Sequence, residues 1–300
     1  MRLGKLDLNL LVVLDILTEL RSVSAAAQRL NLSQPAVTAA LNRLRDYFDD
    51  PLLVQNGRQM QLTAKASDLV GPVREALLLI RARIATPVGF DPLTSERHFV
   101  LIASDFVFQV LLAQALNAAT RLATRATFEI INPDRQALER FQRGEVDLFI
   151  SIPPYLLDQH PMQPLYADDY CVIADRAGRF GASLSRDDFL EAGHVIPTFG
   201  TERLATHAEI EIARQGLERR IDMRVPSFSA LPLAVLGSDR LAIMWRRHAC
   251  HFARFMPLAL HPPPVKLPRQ TETMQWHSLR QSDPALHWLR GLLSAAAAHI

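Results

Sequence analysis

The chain has 300 residues, 49% hydrophobic and 21% charged, with 33 Lys and Arg against 31 Asp and Glu for a net charge of +2. That length exceeds a lone binding module and leaves room for one or two further cores, while a charge so near neutral does not by itself mark a nucleic-acid binder. No low-complexity tract and no uninterrupted apolar run of bilayer length occurs, so no membrane partner is expected. At the start of the chain, Asp7, Asn9, Asp15 and Glu19 interrupt the apolar residues. Leu6 to Leu20 therefore predicts an amphipathic helix rather than a secretory leader, and with it a cytoplasmic protein. Cys171 and Cys250, the only cysteines, read as free thiols in such a chain.

Residues 24 to 38 carry the densest pattern. Ser24 to Leu30 predicts a short helix in which Ala26 and Ala27 let a second helix cross closely, with Leu30 and Leu32 as apolar contacts at the turn. Ser33 then caps that second helix by accepting from an unpaired first-turn amide, and Pro35 costs little where no intrahelical bond is lost. Two short helices joined by a tight turn have the form of a helix-turn-helix, whose second helix enters a DNA major groove. At about 100° per residue, Val37, Leu41 and Leu44 share one face, and Gln34, Thr38, Asn42 and Arg45 form a polar stripe. Gln34 and Asn42 offer a donor and an acceptor to a base edge, the Thr38 methyl suits thymine, and Arg43 or Arg45 neutralises phosphate. An ordinary solvated helix face explains the stripe alone; turn, cap and paired alanines together favour DNA.

Ser33-Gln34-Pro35-Ala36-Val37-Thr38, preceded by Ala26-Ala27 and Leu30, resembles the DNA-binding motif of LysR-type transcriptional regulators. The resemblance continues through Leu44 to Phe48, Asp50 to Val54, Gly57-Arg58 and Leu62-Thr63-Ala64, which in that family form a winged hairpin leading into a linker helix. It implies a winged helix-turn-helix over residues 1–63 with Ser33, Gln34, Pro35, Thr38, Asn42, Arg43, Arg45 and Arg58 at the DNA. Many members carry a basic or long polar residue where this chain has Ala39, so one familiar base contact is unavailable here. A small residue there, followed by Leu41 to Arg45, looks like the branch of nodulation regulators and aromatic-degradation regulators.

Over residues 1–65 eight basic side chains meet six acidic ones, a modest excess that implies more than one DNA-binding module per complex. Leu69, Val73, Ala76, Leu77, Ile80 and Ile84 recur at helical spacing, interrupted by Gly71-Pro72, where a helix kinks or restarts. Packing on its own domain would explain this stripe. The resemblance favours a dimerising linker helix, with linker and hinge over residues 64–92, and paired modules reading an interrupted inverted repeat.

After the turn-rich stretch Thr86 to Pro92, strands and helices alternate. Strands are expected at His98 to Ala103, Thr127 to Ile131, Val146 to Ile152, Tyr170 to Ala174, around Val195-Ile196, at Ile221 to Val225, Leu241 to Met244 and Glu272 to His277. Helices are expected at Phe106 to Ala119, Asp134 to Arg143, Ala205 to Gln215, Ser229 to Leu236 and from Pro284. Such alternation predicts parallel βαβ packing in two lobes joined by crossing strands. Ligands in open α/β sheets lie beyond strand C-termini, which places Ser104, Asp105 and Phe106, the pairs Asn132-Pro133 and Ile152-Pro153 with Asn132 and Pro153 as the site candidates, and Phe199, Gly200 and Thr201 around a cleft, with Phe228 and Trp276 as weaker candidates for an apolar wall. Taken singly, Ser104 reads as a cap, Asp105 as a structural ion partner and the aromatics as core.

Arg143 to Asp147, and Met274 to His277 with Ser282 to Ala285, extend the resemblance to nearly the whole chain, although Met244-Trp245-Arg246-Arg247 replaces the usual Leu-Pro type of run. The implied architecture is α/β: an N-terminal, α-rich winged helix-turn-helix, a long linker helix, and a two-lobed periplasmic-binding-protein-like effector domain over 93–300. Lobe I would comprise 93–166 and 268–300, and lobe II 167–267. The implied partners are promoter DNA, a homodimer or homotetramer, and RNA polymerase. No cofactor is expected; the ligand is an aromatic effector, hydroxylated or carboxylated, and activation is the expected outcome.

The competing classes are an enzyme and a two-lobed binding protein that regulates no DNA. No HExxH pair, GxSxG elbow or phosphate-binding glycine loop is present. Glu209 and Glu211 diverge around a helix and make a poor acid/base pair.

Overall fold

The computed structural model describes residues 7–57, 59–84, 90–121, 125–200 and 205–300. The chain divides into two compact units, Met1–Thr86 and Pro87–Ile300. No helix among the described residues is long and apolar enough to cross a membrane.

In the first unit, α1 (Leu8–Leu20) is capped by the Asp7 carboxylate, which accepts from the Asn9 amide at 2.9 Å. Helix α2 (Val23–Leu30) ends at Asn31, whose φ of 53° lies in the left-handed region that asparagine tolerates, and α3 (Gln34–Phe48) begins three residues later. Ala26 and Ala27 are buried in one core with Val37, Leu41 and Leu44 of α3 and Leu10, Leu14 and Leu17 of α1. The close crossing expected of the paired alanines is therefore present. Strands β1 (Leu53–Asn56) and β2 (Gln59–Leu62) form an antiparallel hairpin.

Thr63 caps α4 (Ala64–Arg83) and also donates to Asp50 Oδ1 at 2.6 Å, tying hairpin to helix. Helix α4 runs on through Pro72 rather than restarting there. Its apolar stripe is divided: Val73 and Leu77 pack in the core of their own unit and Arg74 pairs with Asp15 at 2.9 Å, whereas Leu79 and Ile84 are exposed.

The second unit holds two five-stranded sheets. One is ordered β4-β3-β5-β12-β6, from β3 (His98–Ile102), β4 (Thr127–Ile131), β5 (Leu148–Ser151), β6 (Met162–Asp168) and β12 (Gln270–Gln275). The other is ordered β11-β7-β10-β8-β9, from β7 (Tyr170–Asp175), β8 (Gly193–Pro197), β9 (Arg220–Val225), β10 (Leu241–Trp245) and β11 (Leu258–His261). Parallel pairing joins β3 to β4 and β5, and β8 to β9 and β10; β6, β7, β11 and β12 pair antiparallel. The chain passes from the first sheet to the second at Asp169 and returns after β11.

Helix α5 (Asp105–Val107), a π-helical turn over Phe108–Leu112, α6 (Ala113–Thr120), α7 (Arg135–Gln142) and α12 (Pro284–Ala297) belong to the first lobe. Helices α8 (Arg186–Glu191), α9 (His207–Arg214), α10 (Leu231–Val235) and α11 (Arg246–Ala253) belong to the second.

Strands β6 and β11 and helices α8 and α11 go beyond the sequence pattern. Strand β6 contains Pro164 and lies at a sheet edge, where a missing amide is tolerated; β11 has only four residues. The two segments that carried the later resemblance meet physically. Asp283 caps α12 through the amides of Ala285 and Leu286 and receives Arg97 at 2.8 Å, while Asp147 receives the same guanidinium at 2.9 Å.

Candidate DNA-recognition helix and effector cavity

Helix α3 starts as its sequence requires. Ser33 Oγ accepts from the Ala36 amide at 3.3 Å, and Pro35 occupies the first turn. Val37, Leu41 and Leu44 point into the core, leaving Gln34, Pro35, Thr38, Ala39 and Asn42 exposed. The Thr38 hydroxyl donates to the Gln34 carbonyl at 3.0 Å, so its methyl is the group left without an internal bond.

Arg45 is engaged differently from the phosphate contact expected of it. Its Nε donates to the Pro51 carbonyl at 2.8 Å, one terminal nitrogen to Leu53 O at 3.1 Å and the other to Asn42 Oδ1 at 3.2 Å. The guanidinium fork is thus spent on two backbone carbonyls of the segment leading into the hairpin. Asn42 keeps its amide nitrogen for other work. Arg43 reaches Asp7 at 3.5 Å, a loose and exposed pair that opposes little resistance to a competing phosphate. Arg58 lies outside the described residues.

In the second unit a cavity of about 370 Å³ lies between the two lobes. Ile102, Pro133, Leu138, Phe149 and Ile152 line it from the first lobe, and Val195, Ile196, Phe199, Phe228 and Trp245 from the second. Its lining is mostly apolar, with a few polar side chains at fixed points, the usual make-up of a small-molecule site.

The sequence-predicted residues separate into three groups. Ser104, Phe199 and Phe228 line the cavity. Asp105, Phe106, Asn132, Pro153, Gly200 and Trp276 are not among the lining residues, and Thr201 lies outside the described residues. Asn132 and Pro153 are exposed, although their neighbours Pro133 and Ile152 face the cavity: a strand end locates the site to within a residue, and the turn that follows selects which side chain enters.

Phe106 is fully buried behind the wall, stacked on Trp245 with ring centroids 5.4 Å apart. Trp276 lies under the Arg290 guanidinium, 3.9 Å from its centroid. Gly200 adopts φ 65°, a left-handed turn beside Asp134.

Asp105 joins the lobes. Its carboxylate accepts from the amides of Phe228 at 3.3 Å and Ser229 at 2.7 Å, and from the Ser229 hydroxyl. Ser229 Oγ in turn accepts from Gln109 Nε2 at 2.6 Å. His248 is wholly buried, and burial lowers its pKa to about 4. It is therefore neutral and donates from Nε2 to Gln109 Oε1 at 3.0 Å. This chain of bonds crosses between lobes at every step.

Several lining residues went unread in the sequence, among them Tyr155, Tyr170, His207, Trp245 and Glu272. Tyr170 and Trp245 are register partners on β7 and β10 and stack at 4.1 Å. The two-residue period that puts Ile243 and Trp245 on one strand face was the available clue. The Tyr170 hydroxyl and His207 Nδ1 share a hydrogen bond at 3.3 Å; burial lowers the His207 pKa and favours its neutral ring.

Glu272 is 4% exposed and has no hydrogen-bond or ion-pair partner among the described residues; its Oε2 is sealed from solvent. Burial, with the Asp168 charge nearby, pushes its pKa up to about 8, which makes it an uncharged carboxyl at neutral pH. Across the β12–β6 ladder its register partner Tyr166 also has an unpartnered buried hydroxyl. The other lining acids are occupied: Asp134 caps α7, and Glu209 receives Arg219 at 2.7 Å through both oxygens.

Residues 8–67 match the family described as a bacterial regulatory helix-turn-helix protein of the lysR family, and residues 94–298 match the LysR substrate binding domain. Nodulation protein D 1 of Rhizobium tropici is 39% identical over all of this chain and 98% of its own length. Nodulation protein D 3 of Rhizobium leguminosarum bv. phaseoli is 38% identical over the full length of both. Among solved structures, a probable transcriptional regulator from Pseudomonas aeruginosa is 29% identical with a TM-score of 0.65, covering 98% of each chain. A full-length OxyR variant from the same organism shares the fold, with a TM-score of 0.70 at 14% identity, over 97% of this chain and 94% of its own. These are regulators rather than enzymes, and the enzyme and free-standing binding-protein alternatives fall away. The chain belongs to the LysR family of transcriptional regulators, pairing a DNA-binding helix-turn-helix with a domain that binds a small-molecule effector.

Proposed function

We propose that this regulator is a ligand-responsive activator whose effector is an uncharged aromatic molecule bearing a hydroxyl or carbonyl group. The carrying observation is the wall of the 370 Å³ cavity, where aromatic rings surround a buried carboxyl that is protonated at neutral pH. A carboxyl in that state both donates and accepts, whereas a carboxylate effector would add a negative charge to a wall in which Asp134 and Glu209 already outnumber Arg135. Ser104, Phe199 and Phe228 belong to this site, with Tyr155, Tyr170, His207, Trp245 and Glu272 added. Asp105 and Phe106 act behind the wall by holding the lobes and Trp245.

On the DNA side, Gln34, Pro35, Thr38 and Asn42 are assigned to base edges, Ser33 to positioning the helix, and Arg43 and Arg58 to phosphate. Arg45 holds the recognition helix to the wing. The assigned domains are 1–63, 64–92 and 93–300, in a cytoplasmic homodimer or homotetramer that contacts RNA polymerase. The exposed Leu79 and Ile84 of α4 support self-association through its C-terminal half.

The experiment is a fluorescence titration of the full chain with benzophenone, 4-hydroxybenzophenone and 4-benzoylbenzoate, following the tryptophan emission to which Trp245 contributes with Trp276 and Trp288. The hydroxylated probe should bind tightest and the carboxylate weakest. Preferential binding of the carboxylate would overturn the assignment.

A further inference from the structure

A second cavity, of about 1060 Å³, lies where the two chain crossings between lobes meet α6 and α11. Its chemistry is opposite to that of the effector cavity. Arg121 closes α6; Arg246, Arg247 and Arg254 project from α11 and the turn after it; Arg269 stands on the returning crossing. Four of these, Arg121, Arg246, Arg254 and Arg269, make no side-chain hydrogen bond or ion pair among the described residues. Arg247 is held in place: one terminal nitrogen donates to Ile300 O at 2.7 Å, and its guanidinium lies 5.8 Å from the Tyr166 ring.

The acids present are Asp168 and Asp169. Asp168 is buried and turned onto the amides of Asp169 at 2.9 Å and Arg247 at 3.3 Å, so it neutralises none of the guanidiniums by direct contact. Five guanidiniums thus converge on one concavity against the two aspartates and the Ile300 carboxyl group that Arg247 already engages. Unpaired arginines scattered over a convex surface are simply solvated; arginines converging on a concavity from three segments repel one another and lower that repulsion by sharing an anion.

We propose that this cavity is a second ligand site, for a small polyanion carrying two or more phosphate charges and of about nucleotide size. Planar guanidiniums suit the bidentate recognition of phosphate oxygens. The volume is ample for a nucleotide, and Val110, Ala113 and Ala118 supply an apolar strip along one wall for a non-ionic portion. The first lobe contributes α6 and the second α11, so a bound polyanion spans both lobes. It is distinct from the aromatic effector and goes beyond that assignment.

The test uses the full-length protein with pyrophosphate and ATP as probes and inorganic phosphate as the monovalent-site control, at fixed ionic strength. Calorimetry should give saturable binding of pyrophosphate and ATP at least tenfold tighter than of phosphate. The double variant R246Q/R254Q should weaken pyrophosphate at least tenfold, while 4-hydroxybenzophenone binding and the unfolding midpoint stay within error. R269Q, on the other wall, should weaken it severalfold and serves if the double variant misfolds. Hydrogen exchange should slow at both 109–121 and 246–254 when pyrophosphate binds.

Absence of saturation at millimolar pyrophosphate, equal affinity in the variants, or protection of one wall only would overturn the proposal. So would variants that lose affinity for DNA or an acidic peptide while binding pyrophosphate unchanged, since the arginines would then serve a macromolecular surface.

Discussion

Asp105, the first residue of α5 in one lobe, accepts the amide of Ser229 in the other at 2.7 Å and its hydroxyl as well. A hydrogen bond to a charged acceptor contributes about 1.5–3 kcal/mol, and here several share one carboxylate. Asp105→Asn replaces one acceptor oxygen by a donor facing an N–H. The second unit of D105N should unfold with about 2 kcal/mol less stability in urea and lose hydrogen-exchange protection at 228–230. Unchanged stability and protection would remove the bridge from the account.

The Arg45 fork on the Pro51 and Leu53 carbonyls predicts a variant that fails structurally before it fails electrostatically. Arg45→Ala should lower the stability of the first unit by about 1–2 kcal/mol and weaken DNA binding at every salt concentration. Arg43→Ala should instead flatten the plot of log K against log salt by about one unit of slope. A salt slope that changes on R45A and not on R43A would reverse the two roles.

Burial lowers the pKa of His194, His248 and His277 from 6.5 to about 4. The folded state refuses protons that the unfolded chain takes up below about pH 6.5, so the stability these rings confer is full above that value and is lost as pH falls towards 4. Each costs about 1.4 kcal/mol per pH unit inside that window. Thermal melts of the second unit should therefore drop steeply between pH 6.5 and 4.5, and His248→Gln should shallow the slope. A flat profile would contradict neutral buried rings.

Glu272 titrates the other way. Its folded pKa of about 8 against 4.5 means the unfolded chain gives up its proton first as pH rises, so stability falls between pH 4.5 and 8. It offsets part of the histidine effect in acid. Glu272→Gln keeps shape and hydrogen-bonding capacity without the charge, so its melting temperature should match wild type near pH 5 and exceed it by several degrees at pH 8. Binding of benzophenone, which carries no ionisable group, should weaken above pH 8 in wild type and stay level in E272Q. Parallel pH profiles for the two proteins would show that Glu272 is not an uncharged wall of the cavity.

The local code was legible where a residue's conformational chemistry is short-range. Ser33, Pro35 and the Ala26-Ala27 pair specify α2 and α3 because a cap, a first-turn proline and a close crossing each depend on a few neighbours. Strand ends, and hence the neighbourhood of the effector cavity, followed from the βα alternation. What escaped depends on register and on distant partners. Nothing adjacent to Arg45 announces that its fork meets carbonyls six and eight residues on. Glu272 looks like any strand acid until β6 and the cavity close over it. Pro164 hid β6, whose pairing partner lies over a hundred residues away in β12.

The most direct test is to sequence the DNA retained by the full-length protein from a random pool, with and without 4-hydroxybenzophenone, for wild type and the Q34A/T38A double variant. Wild type should enrich an interrupted inverted repeat, shift its footprint when the aromatic is added, and lose base preference in the double variant while binding the aromatic as before. No enriched sequence, or an enriched sequence indifferent both to the aromatic and to the loss of Gln34 and Thr38, would contradict a ligand-responsive regulator that reads DNA through α3.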